Sequence, residues 1–424
     1  MPQHASNLPD TNHVRAAPRR RRAPIIRSPR SLIAHMLRAR IHVGRLTMRL
    51  PDGEQLSFGA GEPAAEMIVH EDAALRRILR DPGLELGETY MEGGWEAGEG
   101  GLRKLIEVLM RNFAEAHPEG AERLALPLLK LVQQSNRIAR SRRNVSHHYD
   151  LDEALFRTFL DEGMFYSCAY FAREDMTLEE AQQAKCRLLM DKLRLAPGMK
   201  VLDIGSGWGG LAMYLAEHAG VEVDGVTLST EQLRVAEAEA ERRGLSDRVH
   251  FHLRDYREQE GIYDRIVSVG MFEHVGEPQY STFFRKVESL LAPDGIAVLH
   301  TIGATGVPGQ TNAWIRRHIF PGGYIPALSQ ITSKVEQTKG LAYTDVEVLR
   351  LHYAWTLAEW YRRFQSYRSE IAERMGETFC RMWEFYLATC EGSFLWWDLV
   401  VFHVQLTHGH GPVPVTRDYL CHAE

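Results

Sequence analysis

The chain has 424 residues, of which 44% are hydrophobic and 25% are charged, and its formal net charge at pH 7 is −6. This composition is that of a globular protein and excludes a chain that is disordered throughout, and the length allows two or three domains. The five cysteines are scattered and include no Cys-x-x-Cys pair. We therefore expect no disulfide framework, no metal site and a reducing, cytoplasmic location.

Positive charge is concentrated at the start of the chain. Residues 1–45 contain ten arginines and a single acid, Asp10, so the remainder is acidic. The abundance of proline, serine and arginine predicts a disordered basic tail over residues 1–30. This tail is not followed by the apolar core of a signal peptide. Two interpretations stay open: the tail docks on anionic lipid or nucleic acid, or it is a solvated extension.

The next segment mixes strand and helix patterns, and we predict a small α+β domain over residues 31–125. A helical connector over residues 126–145 follows it and ends in a basic run. The predicted elements of the small domain are a strand over residues 41–50, helices over residues 73–80 and 102–113, and a glycine-rich loop with aromatic side chains over residues 87–95.

From residue 146 onward, apolar strand-like runs alternate with helical runs. This alternation predicts a Rossmann-like α/β fold, a parallel sheet with helices on both faces, over residues 146–424. A late strand over residues 399–406 is expected to pair antiparallel at the edge of the sheet. Residues 303–350 are a long insertion, placed where loops that cover a ligand belong. The predicted strands span residues 200–204, 222–227, 249–253, 265–269 and 296–301, and the helices span residues 210–219, 230–243 and 280–291.

The most informative stretch follows the first of these strands. Gly205, Gly207 and Gly210 fit the pattern Gly-x-Gly-x-x-Gly, in which glycines permit a tight turn and a close approach of the backbone to a ligand. Dinucleotide enzymes and turns without a ligand also show this pattern. Asp203, the carboxylate just before the turn, favours an S-adenosylmethionine site, because a strand ending in Asp-x-Gly-x-Gly is typical of methyltransferases. Residues 146–424 are therefore interpreted as a methyltransferase catalytic domain.

Further motifs occur in order along the chain. They are residues 148–150 (His-Tyr-Asp), 165–171 (Phe-Tyr-Ser-Cys-Ala-Tyr-Phe), 225–229 (Gly-Val-Thr-Leu-Ser), 268–276 (Ser-Val-Gly-Met-Phe-Glu-His-Val-Gly), 300–303 (His-Thr-Ile-Gly), 319–323 (Ile-Phe-Pro-Gly-Gly) and 352–353 (His-Tyr). In these motifs the chain resembles the cyclopropane-fatty-acyl-phospholipid synthases and the wider group of mycolic acid cyclopropane synthases, over about residues 40–420. The resemblance implies that the small N-terminal domain is associated with lipid.

The resemblance also implies an unusual reaction. The cis double bond of a lipid acyl chain attacks the methyl group of S-adenosylmethionine, and the resulting carbocation loses a proton to bound bicarbonate as a cyclopropane ring closes. Such a reaction requires a dry apolar tunnel and aromatic faces that tolerate a cation. The implied cofactors are S-adenosylmethionine and bicarbonate.

By the same resemblance, five residues would surround the bicarbonate. Cys168 and Ile302 would offer backbone groups, and Glu273, His300 and Tyr353 would offer side chains. Glu273 would share a proton with the anion, because two negative charges repel each other. His300 would orient the anion and take up its proton. Each of these side chains also has a purely structural interpretation as a buried, hydrogen-bonded group.

Two cysteines require separate interpretation. Cys168 is not expected to be a nucleophile, because methyl transfer to an alkene is direct. Cys390 matches a second cysteine of the family, for which a catalytic role and a structural role as a buried thiol both stay open.

The cofactor residues follow from the resemblance in the same way. Many methyltransferases end the second strand with an acid that binds the ribose, but Asp224 lies too early here and Gln232 would take that role. Asp255 and Tyr256 follow the third strand, where an acid often meets the adenine. The full set is Tyr166, Ser167, Asp203, Gly205, Gly207, Thr227, Leu228, Gln232, Asp255 and Tyr256.

The chain departs from the family after Phe394, where Trp396 and Trp397 stand side by side. On a strand these tryptophans would face opposite sides of the sheet. One of them would then be exposed as a membrane-interface anchor, or both would take part in ordinary packing.

We therefore expect an enzyme that forms cyclopropane rings on unsaturated phospholipid acyl chains. It would lie on the inner face of the membrane, in peripheral contact with anionic lipid and without a nucleic acid partner. The sequence does not decide whether it forms a homodimer. One alternative is methyl branching without ring closure, and another is a small-molecule N-methyltransferase with a narrow polar pocket. A lipid-transfer module without catalysis is the least favoured, since the cofactor and anion motifs are present.

Overall fold

The computed structural model of the protein describes residues 28–113, 153–309 and 311–420. The arginine-rich tail as far as residue 27, the whole of the predicted connector (residues 126–145) and the motif at residues 148–150 lie outside the described residues. The described residues form an N-terminal unit, residues 29–113, and a C-terminal unit, residues 153–420.

The N-terminal unit contains a four-stranded sheet with the order β2-β1-β3-β4. Strand β1 is antiparallel to β2 and parallel to β3, so both α and β elements occur here as expected. The elements are α1 (Pro29–Arg40), β1 (Gly44–Arg49), β2 (Gln55–Ala60), β3 (Ala64–Val69), α2 (Asp72–Arg80), α3 (Pro82–Met91), β4 (Trp95–Ala97) and α4 (Gly101–Phe113).

The prediction of a glycine-rich loop over residues 87–95 is wrong for its first half, because α3 continues to Met91. Asp81 begins this helix by accepting a hydrogen bond from the backbone N–H of Leu84. Gly87 serves packing rather than a turn, since a Cβ atom there would lie 2.4 Å from Nε1 of Trp314. Gly87 allows α3 to approach Trp314 closely, and the sequence alone does not distinguish such a glycine from one in a loop.

The C-terminal unit contains a seven-stranded sheet with the order β10-β11-β9-β8-β5-β6-β7. The five strands β5 to β9 are parallel, and helices cover both faces, which confirms the Rossmann-like α/β prediction. The strands are β5 (Lys200–Ile204), β6 (Glu222–Thr227), β7 (Val249–Leu253), β8 (Tyr263–Val269), β9 (Leu291–Ala304), β10 (Ala342–Leu349) and β11 (Leu399–Thr407). The helices are α5 (Glu153–Phe159), α6 (Leu178–Leu193), α7 (Gly210–Ala219), α8 (Thr230–Arg242), α9 (Tyr280–Leu290), α10 (Ala313–His318), α11 (Leu328–Glu336), α12 (His352–Met375) and α13 (Glu377–Trp396).

The late strand β11 is antiparallel, as predicted, but it is not the edge strand. It lies between β9 and β10, and β10 forms the edge. The sequence pattern placed β10 inside a loop insertion because Asp345 and Glu347 interrupt its apolar character. Charged side chains are common on edge strands, and here both carboxylates lie near the ammonium group of the fully buried Lys192, at 3.5 and 2.6 Å.

The expectation that Trp396 and Trp397 lie on a strand is also wrong. Trp396 is the last residue of α13 and Trp397 follows it as the helix cap. Trp397 is 45% exposed, and its indole N–H donates to the carbonyl of Met110 in the N-terminal unit. This tryptophan therefore contacts the neighbouring unit, although nearly half of it faces outward.

The two units share one continuous hydrophobic core along α13. The ring of Phe385 packs 5.6 Å from that of Tyr90 and 6.5 Å from that of Trp95. The hydroxyl of Tyr90 donates to Glu384 at 2.6 Å, and Nε of Arg103 donates to Glu391 at 2.7 Å. In the described part of the chain, none of the helices combines the length and the apolar character needed to cross a bilayer.

Candidate active site

A first cavity lies at the carboxyl ends of β5, β6 and β8, where the glycine turn leads into α7. Gly205 has a φ of +88°, and a Cβ atom at this position would lie 2.7 Å from Cβ of Met271. Both facts require glycine, because a side chain would be strained and would displace the opposite wall. The turn therefore exposes bare backbone to the cavity, as a cofactor cradle requires.

The structure brings all ten predicted cofactor residues together, since each of them lines this first cavity. Oγ1 of Thr227 donates to Oε1 of Gln232 at 2.9 Å, and the hydroxyl of Ser229 caps α8 by accepting from the N–H of Gln232. Asp224 points elsewhere: its carboxylate meets the hydroxyl of Tyr263 at 2.8 Å. Gln232 therefore lines the first cavity, whereas Asp224 does not.

Sequence reasoning missed Lys185, which also lines the first cavity. This lysine on α6 is fully buried; its Nζ atom lies 2.9 Å from Oγ of Ser167 and 4.0 Å from the ring centre of Phe165. Burial raises the pKa of Asp203 to about 7, and the nearby Lys185 opposes that rise. A signal was present in the sequence, because Lys185 interrupts the apolar face formed by Leu178, Ala181 and Leu189.

A second cavity, of about 600 Å³, adjoins the first and shares Tyr166, Ser167, Gly270 and His274 with it. We call it the catalytic cavity. All six residues predicted to be catalytic lie in its wall: Cys168, Glu273, His300, Ile302, Tyr353 and Cys390. The structure thus places the two predicted residue sets in adjoining spaces, so a group held in one can reach the other.

Glu273 is held at one oxygen and free at the other. Its Oε1 atom accepts a hydrogen bond from the backbone N–H of Ile302 at 2.6 Å, so the Ile302 N–H is already engaged. Its Oε2 atom is buried and has no partner among the described residues. Burial raises the pKa of Glu273 to about 7. An orphaned buried carboxyl oxygen beside a cavity indicates a missing proton or a missing ligand.

His300 lies beside a second histidine that the sequence analysis did not single out. Nδ1 of His300 is 2.7 Å from Nε2 of His403, and both rings are fully buried. Burial lowers the pKa of both imidazoles well below the usual range. The pair forms because His300 and His403 are register partners on the neighbouring strands β9 and β11. The sequence patterns did not predict this strand pairing and so could not place His403 beside His300.

The thiols in the catalytic cavity are held in the protonated form. Burial raises the pKa of Cys390 to about 12 and that of Cys168 further above its usual range. The thiol of Cys168 donates to the carbonyl of Ala169 at 3.2 Å. Neither sulfur has the exposed, electropositive surroundings of a reactive cysteine.

Aromatic rings form much of the remaining wall. Tyr166 stacks on Trp360 with 5.2 Å between ring centres, and Tyr353 packs 4.8 Å from Phe394. The hydroxyls of Tyr166 and Tyr386 are 2.8 Å apart. Tyr166, Tyr353 and Phe394 line the cavity and exclude water from it, while Trp360 and Tyr386 pack against Tyr166 outside the lining.

The fold, the glycine cradle and the adjoining cavities define an S-adenosylmethionine-dependent methyltransferase. A family model described as mycolic acid cyclopropane synthetase matches residues 136–404, and a second model, described as a domain of unknown function, matches residues 33–118. The chain belongs to the mycolic acid cyclopropane synthetase family.

Relatives match most of the chain. The cyclopropane-fatty-acyl-phospholipid synthase of Escherichia coli (strain K12) is 40% identical over 351 residues, which cover 82% of this chain and 89% of that protein. The tuberculostearic acid methyltransferase UfaA1 of Mycobacterium tuberculosis is 36% identical over 367 residues, which cover 82% and 85%. The matches therefore extend beyond the C-terminal unit.

Solved structures match between 62% and 76% of the chain. The cyclopropane synthase MmaA2 from Mycobacterium tuberculosis has a TM-score of 0.59 at 35% identity, covering 62% of this chain and 97% of that one. The mycolic acid cyclopropane synthase CmaA1, complexed with SAH and CTAB, has a TM-score of 0.59 at 34% identity with the same coverage. Coclaurine N-methyltransferase, at 21% identity and a TM-score of 0.64, shares the fold alone.

Proposed function

We propose that this enzyme transfers a methylene group from S-adenosylmethionine to cis double bonds of phospholipid acyl chains and so forms cyclopropane rings. The observation that carries the proposal is the catalytic cavity. It is a large apolar space that adjoins the first cavity, and its wall includes the buried carboxyl group of Glu273, whose Oε2 atom has no hydrogen-bond partner among the described residues. The family membership and the synthase from Escherichia coli support the same chemistry.

The residues present fit bicarbonate. The free Oε2 atom of Glu273 can meet the hydroxyl of a small anion, provided that one proton is shared between them, and a pKa of about 7 allows this near neutral pH. His300 and Tyr353 stand in the same wall and offer polar atoms. When bound, S-adenosylmethionine supplies an electrophilic methyl group and bicarbonate supplies a weak base.

The residues of this chain then have distinct tasks. Ile302 holds Glu273 through its backbone N–H, so that only Oε2 faces the anion. His300, kept neutral by burial, can donate a hydrogen bond to the anion without adding a charge to the cavity. Tyr166, Tyr353 and Phe394 line the cavity, exclude water and present rings that stabilise a cation on the acyl chain.

A second candidate is methyl transfer without ring closure: the carbocation loses a proton to give a branched alkene, and a separate reduction then gives the saturated branched chain. The similarity to the methyltransferase UfaA1 favours it as the alternative at the same site. The small-molecule N-methyltransferase is not supported, because the catalytic cavity is wide and mostly apolar rather than narrow and polar.

We also propose that the arginine-rich tail brings the enzyme to the anionic inner face of the membrane. Residues 1–27 include six of the arginines and only one acid, Asp10. Each basic side chain close to an anionic leaflet contributes about 1 kcal/mol of attraction. The acidic remainder of the chain cannot supply that attraction, so the tail is the segment suited to this contact.

Lipid mass spectrometry with labelled methionine tests the proposed reaction. Cells that express the chain should gain one labelled CH₂ group per converted acyl chain without losing a ring-or-double-bond equivalent, and the product should resist mild hydrogenation. Glu273→Gln, which keeps size but removes the acidic proton, should abolish the gain. A labelled product that takes up hydrogen on mild hydrogenation, or one that has lost an unsaturation equivalent through a later reduction, would indicate branching instead. Label in small molecules but not in lipid would refute the proposal.

A further inference from the structure

A third cavity, which we call the tail chamber, lies between the two units and has a volume of about 420 Å³. Side chains of α1, β1, β3 and α4 form one wall, and side chains of α10 and α13 form the other. None of the described residues that line it carries a formal charge. Besides leucines and isoleucines, the lining contains four methionines and four aromatic residues: Met36, Met48, Met67, Met110, Phe113, Trp314, Phe385 and Trp397.

The tail chamber adjoins the catalytic cavity. Six residues line both spaces, and they come from the start of α3, from α10 and from the last two turns of α13. They are Gly83, Asn312, Ile315, Cys390, Ser393 and Trp397. Because Cys390 also lies in the wall that holds Glu273, a chain passing this junction would move directly from the reacting centre into the N-terminal unit.

The size and chemistry of the chamber indicate a ligand rather than a packing defect. Protein interiors contain few voids larger than a water molecule, whereas ligand sites occupy roughly 300–1,000 Å³. Methionine is unbranched and flexible, so a lining rich in methionine adapts to a flexible apolar guest. A hydrocarbon tail has these properties, and a polar molecule would find few hydrogen-bond partners there.

We propose that the tail chamber binds the part of the reacting acyl chain that extends beyond the double bond toward its methyl end. This inference rests on the proposed function, since a double bond within a chain can enter the catalytic cavity only if the tail beyond it also has a dry place. The N-terminal unit then takes part in substrate selection. The depth of the chamber limits the tail length and so selects double bonds by their distance from the methyl end.

Gly83 offers a test at the junction. It lies in the first turn of α3 without a positive φ, and a Cβ atom there would be 3.7 Å from its nearest neighbours, which is ordinary contact. Gly83→Ala should therefore be tolerated, whereas the ring of Gly83→Phe should obstruct the passage. The alanine variant is the matched control.

Two measurements distinguish this inference from the proposed function. The first is binding of cis-parinaric acid, a polyene fatty acid that fluoresces in dry sites and accepts energy from tryptophans such as Trp314 and Trp397. The second is turnover of phosphatidylglycerols whose double bond lies at a fixed distance from the carboxyl group while the tail beyond it is shortened stepwise by two carbons.

Gly83→Phe should weaken parinaric acid binding at least tenfold. It should also reduce turnover of the lipid with the longest tail at least tenfold more than turnover of the lipid with the shortest tail. Gly83→Ala should resemble the wild type in both measurements. Unchanged tail preference, or an equal loss for all tails, would overturn the inference. If parinaric acid binding falls only in Gly83→Phe but neither the wild type nor any variant modifies a lipid, the result supports an apolar ligand in the chamber and refutes the proposed reaction.

A second pair of variants covers the case in which Gly83→Phe does not fold. Met36 lines the chamber from α1 and is 36% exposed, so the fold tolerates replacement there. Met36→Glu places a charge at the chamber wall, and Met36→Leu is its apolar control. The glutamate variant should lose long-tailed substrates selectively; equal turnover profiles for the two variants would contradict the inference.

Discussion

Nδ1 of His300 lies 2.7 Å from Nε2 of His403, across a pair of antiparallel strands in which the two residues are register partners. Both rings are buried and neutral, so one nitrogen donates and the other accepts. Nδ1 of His403 is buried without a partner among the described residues. Because orphaned buried N–H groups are rare, we infer that His403 carries its proton on Nε2 and donates it to His300. His300 then keeps its own proton on Nε2.

His403→Phe should release this constraint on His300. Without the donor, Nδ1 of His300 is left unpaired, which costs about 1–3 kcal/mol of stability, and turnover should fall about tenfold or more. Nitrogen-15 NMR of labelled histidine should show a mixture of His300 tautomers. His403→Gln, whose amide can still donate, should retain most activity. A single unchanged tautomer in His403→Phe would contradict the assignment.

The raised pKa of Glu273 predicts a pH-dependent stability. Between its ordinary value of 4.5 and the folded value of about 7, the unfolded chain releases a proton that the folded protein keeps. The free energy of unfolding should therefore fall as pH rises through this range, by on the order of 3 kcal/mol from this group. Glu273→Gln should lack that contribution. Denaturant unfolding at about pH 5 and about pH 8 measures it, and parallel pH profiles for the two proteins would refute it.

Gly205→Val should abolish binding of S-adenosylhomocysteine in calorimetry, because the side chain would fill the cradle and collide with Met271. Gly198→Val is the matched control. Gly198 also has a positive φ, of +81°, but nothing lies within 4 Å of its Cβ position. Both variants should lose about 1–2 kcal/mol to backbone strain, yet only Gly205→Val should lose the ligand. Equal affinities in the two variants would show that the glycine turn does not hold the cofactor.

Lys185→Met should weaken S-adenosylhomocysteine binding about tenfold and leave 5′-methylthioadenosine, which lacks the amino acid part, within about threefold. The reason is the direction of the hydrogen bond between Lys185 and Ser167. An ammonium group can only donate, so Oγ of Ser167 accepts from Lys185. The hydroxyl proton of Ser167 can then be donated to the carboxylate of a ligand in the first cavity.

Ser167→Ala provides the control for this prediction. It should show the same selectivity, and the double variant should lose little more than either single one. Equal losses for both ligands would indicate that Lys185 acts only on the fold.

Removing residues 1–27 should weaken binding to anionic vesicles, most strongly at low salt, because six arginines are lost. The cut leaves α1 intact, since Ser28 caps this helix and Arg30 binds Asp72. Vesicle sedimentation measures the effect, and replacement of the six arginines by glutamine controls for length. Activity on detergent-dispersed lipid should persist. Undiminished binding by the shortened chain would place membrane contact elsewhere.

Local patterns predicted the parallel strands and their helices, and the resemblance to the family supplied the named site residues. Many of these residues follow strand ends, which meet at one edge of such a sheet. What they missed depends on contacts between distant segments. Strand β10 is recognisable only beside β11, Gly87 only beside Trp314, and His403 only opposite His300. Lys185 is the exception, since a lone lysine on an apolar helix face was visible in the sequence.

The tail chamber has walls from two units that are otherwise joined along α13. A molecule that fills it can bind only when the units are docked, so its binding must favour docking by mass action. On the proposed function, the substrate is also a component of the tertiary structure. A membrane depleted of unsaturated chains would deprive the enzyme of its reactant and, in the same step, of part of the cohesion between its two halves.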